Sequence, residues 1–98
     1  MTRDEAERLS TAFLQIIGLL NQTAAFVRDK DSIENWHQYR RAVGRSMGSV
    51  IELAEPLLAR FPELRPEQLG GPYKVDPQIY EQRFYDWDDG DVKSEQKQ

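Results

Sequence analysis

Apolar residues recur along the first third of the chain at alternating steps of four and three, the spacing of one face of an α-helix. The series is Leu9, Phe13, Ile16, Leu20, Thr23 and Val27. It predicts a helix over about residues 3–28, and Thr2 with Glu5 has the spacing of a capping box at its start. Further apolar residues widen this face to roughly half the circumference, which is more than one neighbouring helix usually covers.

A second series of the same kind follows a short polar break. It consists of Ile33, Trp36, Arg40, Val43, Met47, Val50, Ala54 and Leu57. This spacing predicts a helix over about residues 32–59, capped either by Asp31, with Glu34 as its capping-box partner, or by Ser32. Pro56 is expected to kink this helix or to open a new turn, because proline clashes with the preceding turn. The short break predicts an antiparallel helical hairpin.

Proline and glycine dominate the segment that follows the second helix. Residues 60–75 hold three of the five prolines and a pair of adjacent glycines, which predicts a loop with one helical turn near Glu67–Leu69. The Asp76-Pro77 pair is a capping side chain followed by proline at the first helical position.

The Asp76-Pro77 start predicts a short helix over about residues 77–86. Tyr80, Phe84 and Trp87 then fall on one face of that helix. Residues 88–98 are polar and charged and are expected to form a disordered tail.

Together these elements predict an all-α fold with a single helical domain over residues 1–87. A chain of 98 residues has a small core, and oligomerisation adds buried surface. A lone hairpin would leave much of the first helix exposed even if the short third helix covered part of it. We therefore expect a homodimer that completes a four-helix-type bundle.

The charge balance limits the partners that the protein can have. The formal net charge is −4, from 13 basic and 17 acidic residues, which argues against nonspecific binding to nucleic acid or membranes. The N-terminus lacks the layout of a signal peptide. The most apolar run, residues 12–20, is shorter than the ~20 residues of a membrane span. These features predict a soluble, cytoplasmic protein.

Several kinds of catalytic or metal site can be set aside. Glu34 and His37 form the Glu-x-x-His pair of di-iron bundles, but the opposing stretch, residues 23–27, has no glutamate, and the absence of cysteine excludes thiolate ligands. The acidic run after Tyr85 fails the register of a calcium loop. No nucleophile lies near His37, and the Gly70-Gly71 pair lacks the setting of a phosphate loop. We expect a protein that is not an enzyme and has no cofactor or metal.

The most unusual stretch is residues 35–48, where aromatic residues, arginines and two glycines are mixed in an acidic protein. In one interpretation the arginines snorkel and Gly44 and Gly48 allow close helix packing. In the other, the arginines bind an anion, because no acidic residue lies opposite them on the first helix. Arg40 is expected to lie within the apolar face of its helix.

This second interpretation gives the predicted function, a small interaction or regulatory module that binds a protein partner. The alternative is a helical protein that binds a phosphate-bearing small ligand at Arg40, Arg41 and Arg45. The acidic residues of the C-terminus (Glu81, Asp86, Asp88 and Asp89) are a possible complement from the same chain or a second copy. The candidate partner- or anion-binding residues are Trp36, His37, Arg40, Arg41, Arg45, Tyr80, Phe84 and Trp87.

Overall fold

Two long helices dominate the computed structural model of the protein, which describes residues 1–80, 84 and 85. Helix α1 spans Arg3–Lys30 and helix α2 spans Ile33–Arg60, with 28 residues in each. Only two residues separate them, and the helices pack against each other. The predicted all-α hairpin is confirmed, and no β-strand occurs in the part of the chain that the structure describes.

Side-chain caps set the start of both helices. Thr2 and Glu5 form the predicted capping box at α1: the Glu5 amide donates to the Thr2 hydroxyl oxygen at 3.1 Å, and the Thr2 amide donates to the Glu5 carboxylate at 2.8 Å. Ser32 caps α2 by accepting from the Asn35 amide at 3.1 Å. Asp31, the other predicted cap, instead accepts from the Asn35 side-chain amide and the Ser32 amide.

Helix α2 continues through Pro56 to its end at Arg60, so Pro56 does not open a new turn. Proline removes one backbone hydrogen bond from the last turns of the helix. The residues directly after it, Leu57 and Leu58, are only 6% and 2% exposed. Their burial in the core offsets the lost bond, because each buried leucine contributes roughly 1.5–3 kcal/mol.

The hydrophobic core lies where the N-terminus of α1 meets the C-terminus of α2. The loop after α2 closes this end of the hairpin and contributes the fully buried Leu64. The core consists of Ala6, Ala54, Leu57, Leu58 and Leu64, with Phe13, Phe61, Leu69 and Tyr73 packed around them.

The loop contains two short 3-10 helices, Pro62–Leu64 and Glu67–Leu69, the second at the predicted position. Gly70 has φ of 84°, a left-handed conformation that favours glycine. At Gly71 a Cβ atom would clash with the Arg65 carbonyl oxygen, so only glycine fits. The glycine pair therefore forms a tight turn within the predicted loop.

The C-terminal segment, which we define as residues 73–80, 84 and 85, differs from the predicted helix over residues 77–86. A 3-10 helix spans Pro77–Tyr80, and Phe84 and Tyr85 lie outside any helix. The amides of Phe84 and Tyr85 donate to the side-chain oxygen of Gln22 on α1, at 2.6 and 3.1 Å. An α-helix would need these amides for its own backbone, so the long-range contact replaces helical pairing.

The buried side of α1 also differs from the predicted apolar series. Leu9 and Ile16 of that series are 37% and 43% exposed. Two neighbours, α2 and the C-terminal segment, pack on the other side of the helix, where Gly18 contacts the Tyr80 ring. The buried residues of α1 are Ala6, Ser10, Leu14, Gln22 and Ala25.

Helix α1 is long and apolar enough to cross a membrane by length and composition, with a mean hydropathy of 1.2 over 18 residues. The core helix of a soluble protein and an N-terminal signal sequence meet the same criterion. The prediction of no membrane span rests on the shorter run of residues 12–20, whereas the whole helix has the length of a span.

Candidate functional site

The candidate site is built on the first turns of α2. Ser32 fixes the start of the helix, which places Trp36 one turn in and Arg40 one turn further on the same face. The Arg40 guanidinium lies over the Trp36 ring, 5.1 Å from its centroid. The His37 ring lies 5.1 Å from that of Trp36 at a tilted angle. Trp36 is half-buried, whereas His37 and Arg40 are exposed.

Arg40 was predicted to lie within the apolar face of α2. It lies on the same face as Trp36 and lines the space between the helices, but its side chain is exposed, with the guanidinium over the Trp36 ring. The glycines of the same stretch behave differently from the packing interpretation. A Cβ atom at Gly44 or Gly48 would have no neighbour within 4 Å, so neither glycine serves close packing of the helices.

An open pocket of about 250 Å³ lies beside the Trp36–Arg40 pair, between the two helices. Ala24 and Ala25 form its floor on α1, and these small side chains leave the space next to Trp36. Asn21 and Arg28 contribute polar groups from the α1 side of the pocket. The lining residues are Asn21, Ala24, Ala25, Arg28, Trp36 and Arg40.

The two arginines that line the pocket differ in their pairing. Arg28 contacts the Asp29 carboxylate at 2.9 Å, and Asp29 also accepts from the Tyr85 hydroxyl at 2.7 Å. These bonds, first that from Arg28 and then that from Tyr85, hold the pKa of Asp29 below its usual range. Arg40 has no carboxylate within ion-pair distance among residues 1–80, 84 and 85.

Arg41 and Arg45 are exposed and point away from the buried side of α2. Within the described chain neither forms an ion pair. The three arginines are thus exposed within two turns of α2 in a protein of net charge −4. We call Trp36, His37, Arg40, Arg41 and Arg45 the α2 arginine surface.

The predicted aromatic residues of the C-terminus lie on α1, apart from the α2 arginine surface. Tyr80 packs over Gly18, and the Phe84 ring lies 5.1 Å from that of Phe26. Tyr85 meets the edge of the same Phe26 ring at 5.2 Å. The structure thus separates the predicted site residues into two groups, and Trp87 lies outside the described residues.

The predicted contact between the arginines and the C-terminal acids also falls outside the described residues. It involves Glu81, Asp86, Asp88 and Asp89, none of which the structure describes. The described part of the segment follows α1, where the Gln15 side chain donates to the Ile79 carbonyl at 3.2 Å. This segment and α1 also enclose a smaller pocket of about 160 Å³.

Sequence reasoning missed the residues that α1 contributes to the site. Asn21 and Arg28 carry no motif, and their position beside Trp36 depends on how the two helices pack. Ala24 and Ala25 are the available sequence signal for this pocket, because residues 23–27 are expected to lie opposite Trp36 in an antiparallel hairpin. A small side chain opposite a large one is typical of a cleft or of tight packing.

Among the described residues, no group of three or more His, Asp or Glu side chains could hold a metal ion. The Ser49 hydroxyl donates to the Arg45 carbonyl of its own helix. Comparison of the chain with known protein families, with curated proteins and with solved structures gives no match in any of the three.

Proposed function

We propose that the protein is a non-enzymatic interaction module whose α2 arginine surface binds an acidic segment of a protein partner. The observation that carries this proposal is the stacking of Arg40 on Trp36, at the edge of an open pocket, without a carboxylate among the described residues to neutralise it. A guanidinium held by an aromatic ring is preorganised for a bidentate contact with a carboxylate.

The size of the pocket favours a side chain of a protein partner as its occupant. Sites for drug-sized molecules measure about 300–1,000 Å³, whereas this pocket measures about 250 Å³ and is open to solvent. Tryptophan and arginine are the residues most enriched at interface hot spots. Phe84 is 55% exposed and supplies a second apolar contact at the C-terminal segment.

The proposed module is a cytoplasmic homodimer. Support for the dimer comes from the apolar side chains that α1 leaves exposed, Leu9, Ile16 and Leu19 among them. Small domains often add buried surface by self-association, because their own cores are limited. Light scattering should give about twice the chain mass of 11.4 kDa.

Binding of an acidic peptide tests the arginine surface directly. A labelled peptide of alternating glutamate and tyrosine should increase in anisotropy with the full-length protein, and added salt should weaken the binding. Arg40→Glu should weaken it by at least roughly tenfold, or 1.4 kcal/mol. The same peptide with glutamine in place of glutamate should not bind.

Arg60→Glu is the matched control for Arg40→Glu. Arg60 is also exposed on α2 and also lies over an aromatic ring, that of Phe61 at 5.5 Å, but at the other end of the helix. Both changes alter the net charge equally, so a general electrostatic effect would weaken binding in both. Equal binding by the parent, Arg40→Glu and Arg60→Glu proteins would contradict the proposed site.

A phosphate-bearing small ligand is the second candidate. The observation that favours it is that Arg28, Arg40 and Asn21 all line one pocket, because their side chains carry donors suited to anion oxygens. Pyrophosphate and nucleotides should then raise the melting temperature of the parent protein but not of Arg40→Glu. Stabilisation by pyrophosphate without peptide binding would favour this candidate over the first.

A further inference from the structure

Helix α1 carries an apolar stripe whose large side chains stay partly exposed, although the rings of Phe84 and Tyr85 contact it at Phe26. Its four large side chains, Leu9, Ile16, Leu19 and Phe26, are 37%, 43%, 43% and 36% exposed. Steps of three and four separate the members, so they share one face of the helix. We call this set the outward stripe, and it consists of Leu9, Ala12, Ile16, Leu19, Thr23 and Phe26.

The side of α1 opposite the stripe is already occupied within the chain. Leu14, which is buried, and Gly18, which contacts Tyr80, lie about 140° and 180° around the helix from Leu9, at 100° per residue. No charged residue occurs in α1 between Arg8 and Arg28. The outward stripe is therefore a continuous uncharged surface along most of a 28-residue helix.

The outward stripe is complementary to itself when two copies of α1 run antiparallel. Its members form pairs whose residue numbers sum to 35: Leu9 with Phe26, Ala12 with Thr23, and Ile16 with Leu19. The next residues outward on the same face are Glu5 and Lys30, which also sum to 35. Both are exposed, so each end of the paired stripes brings a carboxylate opposite an ammonium group of the other copy.

We infer that the outward stripe is the interface of an antiparallel two-fold dimer, in which α1 of one copy packs on α1 of the other in this register. The inference deepens the dimer of the proposed function by naming its surface and its geometry. A two-fold axis between residues 17 and 18 makes the contact isologous, as in most homodimers. The apolar pairs fill the centre, and the Glu5–Lys30 pairs disfavour a parallel arrangement, which would place like charges together.

The absence of cysteine from the chain allows the register to be tested with single introduced thiols. Ala12→Cys and Thr23→Cys chains should form a disulfide when they are mixed, because these positions face each other in the inferred dimer. Each variant alone should not form a disulfide. The two copies of residue 12 in an antiparallel pair lie about 16 Å apart along the axis, whereas a disulfide needs Cα atoms within about 7 Å. A mixture of Ala12→Cys with Gln38→Cys, an exposed position on α2, is the matched control.

Ile16→Glu should convert the dimer to a monomer in light scattering while helical circular dichroism is retained. Ile33→Glu is the matched control, because Ile33 is 68% exposed and lies outside the outward stripe, and it should remain a dimer. A parent protein that is monomeric at high micromolar concentration would overturn the inference. Efficient disulfide formation by Ala12→Cys alone would also overturn it, because that result indicates a parallel pair. Binding of monomeric protein to phosphatidylcholine vesicles through α1 would overturn it as well.

These outcomes separate this inference from the rest of the proposed function. A dimer without the 12–23 crosslink contradicts only the outward-stripe register. A monomer contradicts the dimer as well, and neither result concerns the arginine surface. Ile16→Glu should bind the acidic peptide as the parent does, and Arg40→Glu should keep the dimer mass.

Discussion

Replacing Gly18 by alanine tests the docking of the C-terminal segment on α1, because two opposing effects meet at this position. Alanine in place of glycine stabilises a helix interior by about 1 kcal/mol. At Gly18, however, the new Cβ atom would lie 2.9 Å from two ring carbons of Tyr80. Overpacking of this kind costs about 1–3 kcal/mol, so the net change should lie between neutral and about 2 kcal/mol of destabilisation.

Gly44 and Gly48 provide the matched controls in α2. Neither has any atom within 4 Å of the position that a Cβ would take. Alanine at these positions therefore changes stability only through its higher helix propensity. Gly44→Ala and Gly48→Ala should each raise the free energy of unfolding by up to about 1 kcal/mol. Gly18→Ala should therefore be less stable than either control by about 1–3 kcal/mol.

Urea unfolding followed by circular dichroism measures these differences, at one fixed chain concentration because a dimer makes stability concentration-dependent. A double-mutant cycle with Tyr80→Ala isolates the clash. In the Tyr80→Ala background, Gly18→Ala should stabilise the protein as the control substitutions do. If Gly18→Ala stabilises the parent protein as much as Gly44→Ala, then Tyr80 does not pack on Gly18 and the placement of the C-terminal segment is wrong.

Two further predictions concern the start of α1. Thr2→Ala should lower the free energy of unfolding, measured in urea, by about 1 kcal/mol. Thr2→Ser should retain most of the stability of the parent protein, because a serine hydroxyl also caps the helix. On acidification the melting temperature should begin to decrease at about pH 4.5, the ordinary pKa of Glu7. The reason is that the Tyr73 hydroxyl bond, and then Arg3, hold the pKa of Glu7 lower in the folded chain. This stabilisation is present above the ordinary pKa of Glu7 and is lost as the pH falls through its lowered pKa in the folded chain. Tyr73→Phe should therefore make the melting temperature depend less on pH between pH 7 and 3.

The helices and their caps could be predicted because local physics decides them. The capping box of Thr2 and Glu5, the Ser32 cap and the glycine turn after Glu67–Leu69 each depend on residues within six positions of one another. The segment after Pro77 is different. Its structure depends on Gln22, about sixty residues away, and no local pattern reveals that contact.

The buried side of α1 could not be predicted for a related reason. Apolar residues cover so much of its circumference that periodicity alone does not choose a side. The choice follows from Gln22, which is 4% exposed and accepts two backbone amides, and from Gly18, which admits the Tyr80 ring. A polar side chain and a glycine within the apolar run, both neutral signals in a helical pattern, thus mark the side that the chain itself covers.

The candidate site shows the same division between local and distant contributions. The Trp36–Arg40 pair follows from its spacing of four on a helix, and the structure places the guanidinium over the ring. The pocket beside that pair needs the α1 residues Asn21 and Arg28, and their contribution depends on helix packing. Side chains on one helix could therefore be anticipated, but the open pocket between the helices could not.

The two proposed surfaces lie on different sides of the hairpin, which has a consequence for binding. Asn21, at the pocket, lies about 120° around α1 from Leu9, at the outward stripe. An antiparallel dimer through the stripe would therefore leave both pockets open, one on each copy. A partner with two acidic segments could then engage both pockets, and linked segments bind far more tightly than separate ones when the linker spans the sites. Calorimetry should accordingly give one single-segment peptide per chain, whereas a tandem peptide should bind the parent more tightly than the monomeric Ile16→Glu variant. Equal affinity of the tandem peptide for both proteins would mean that the two sites do not act together.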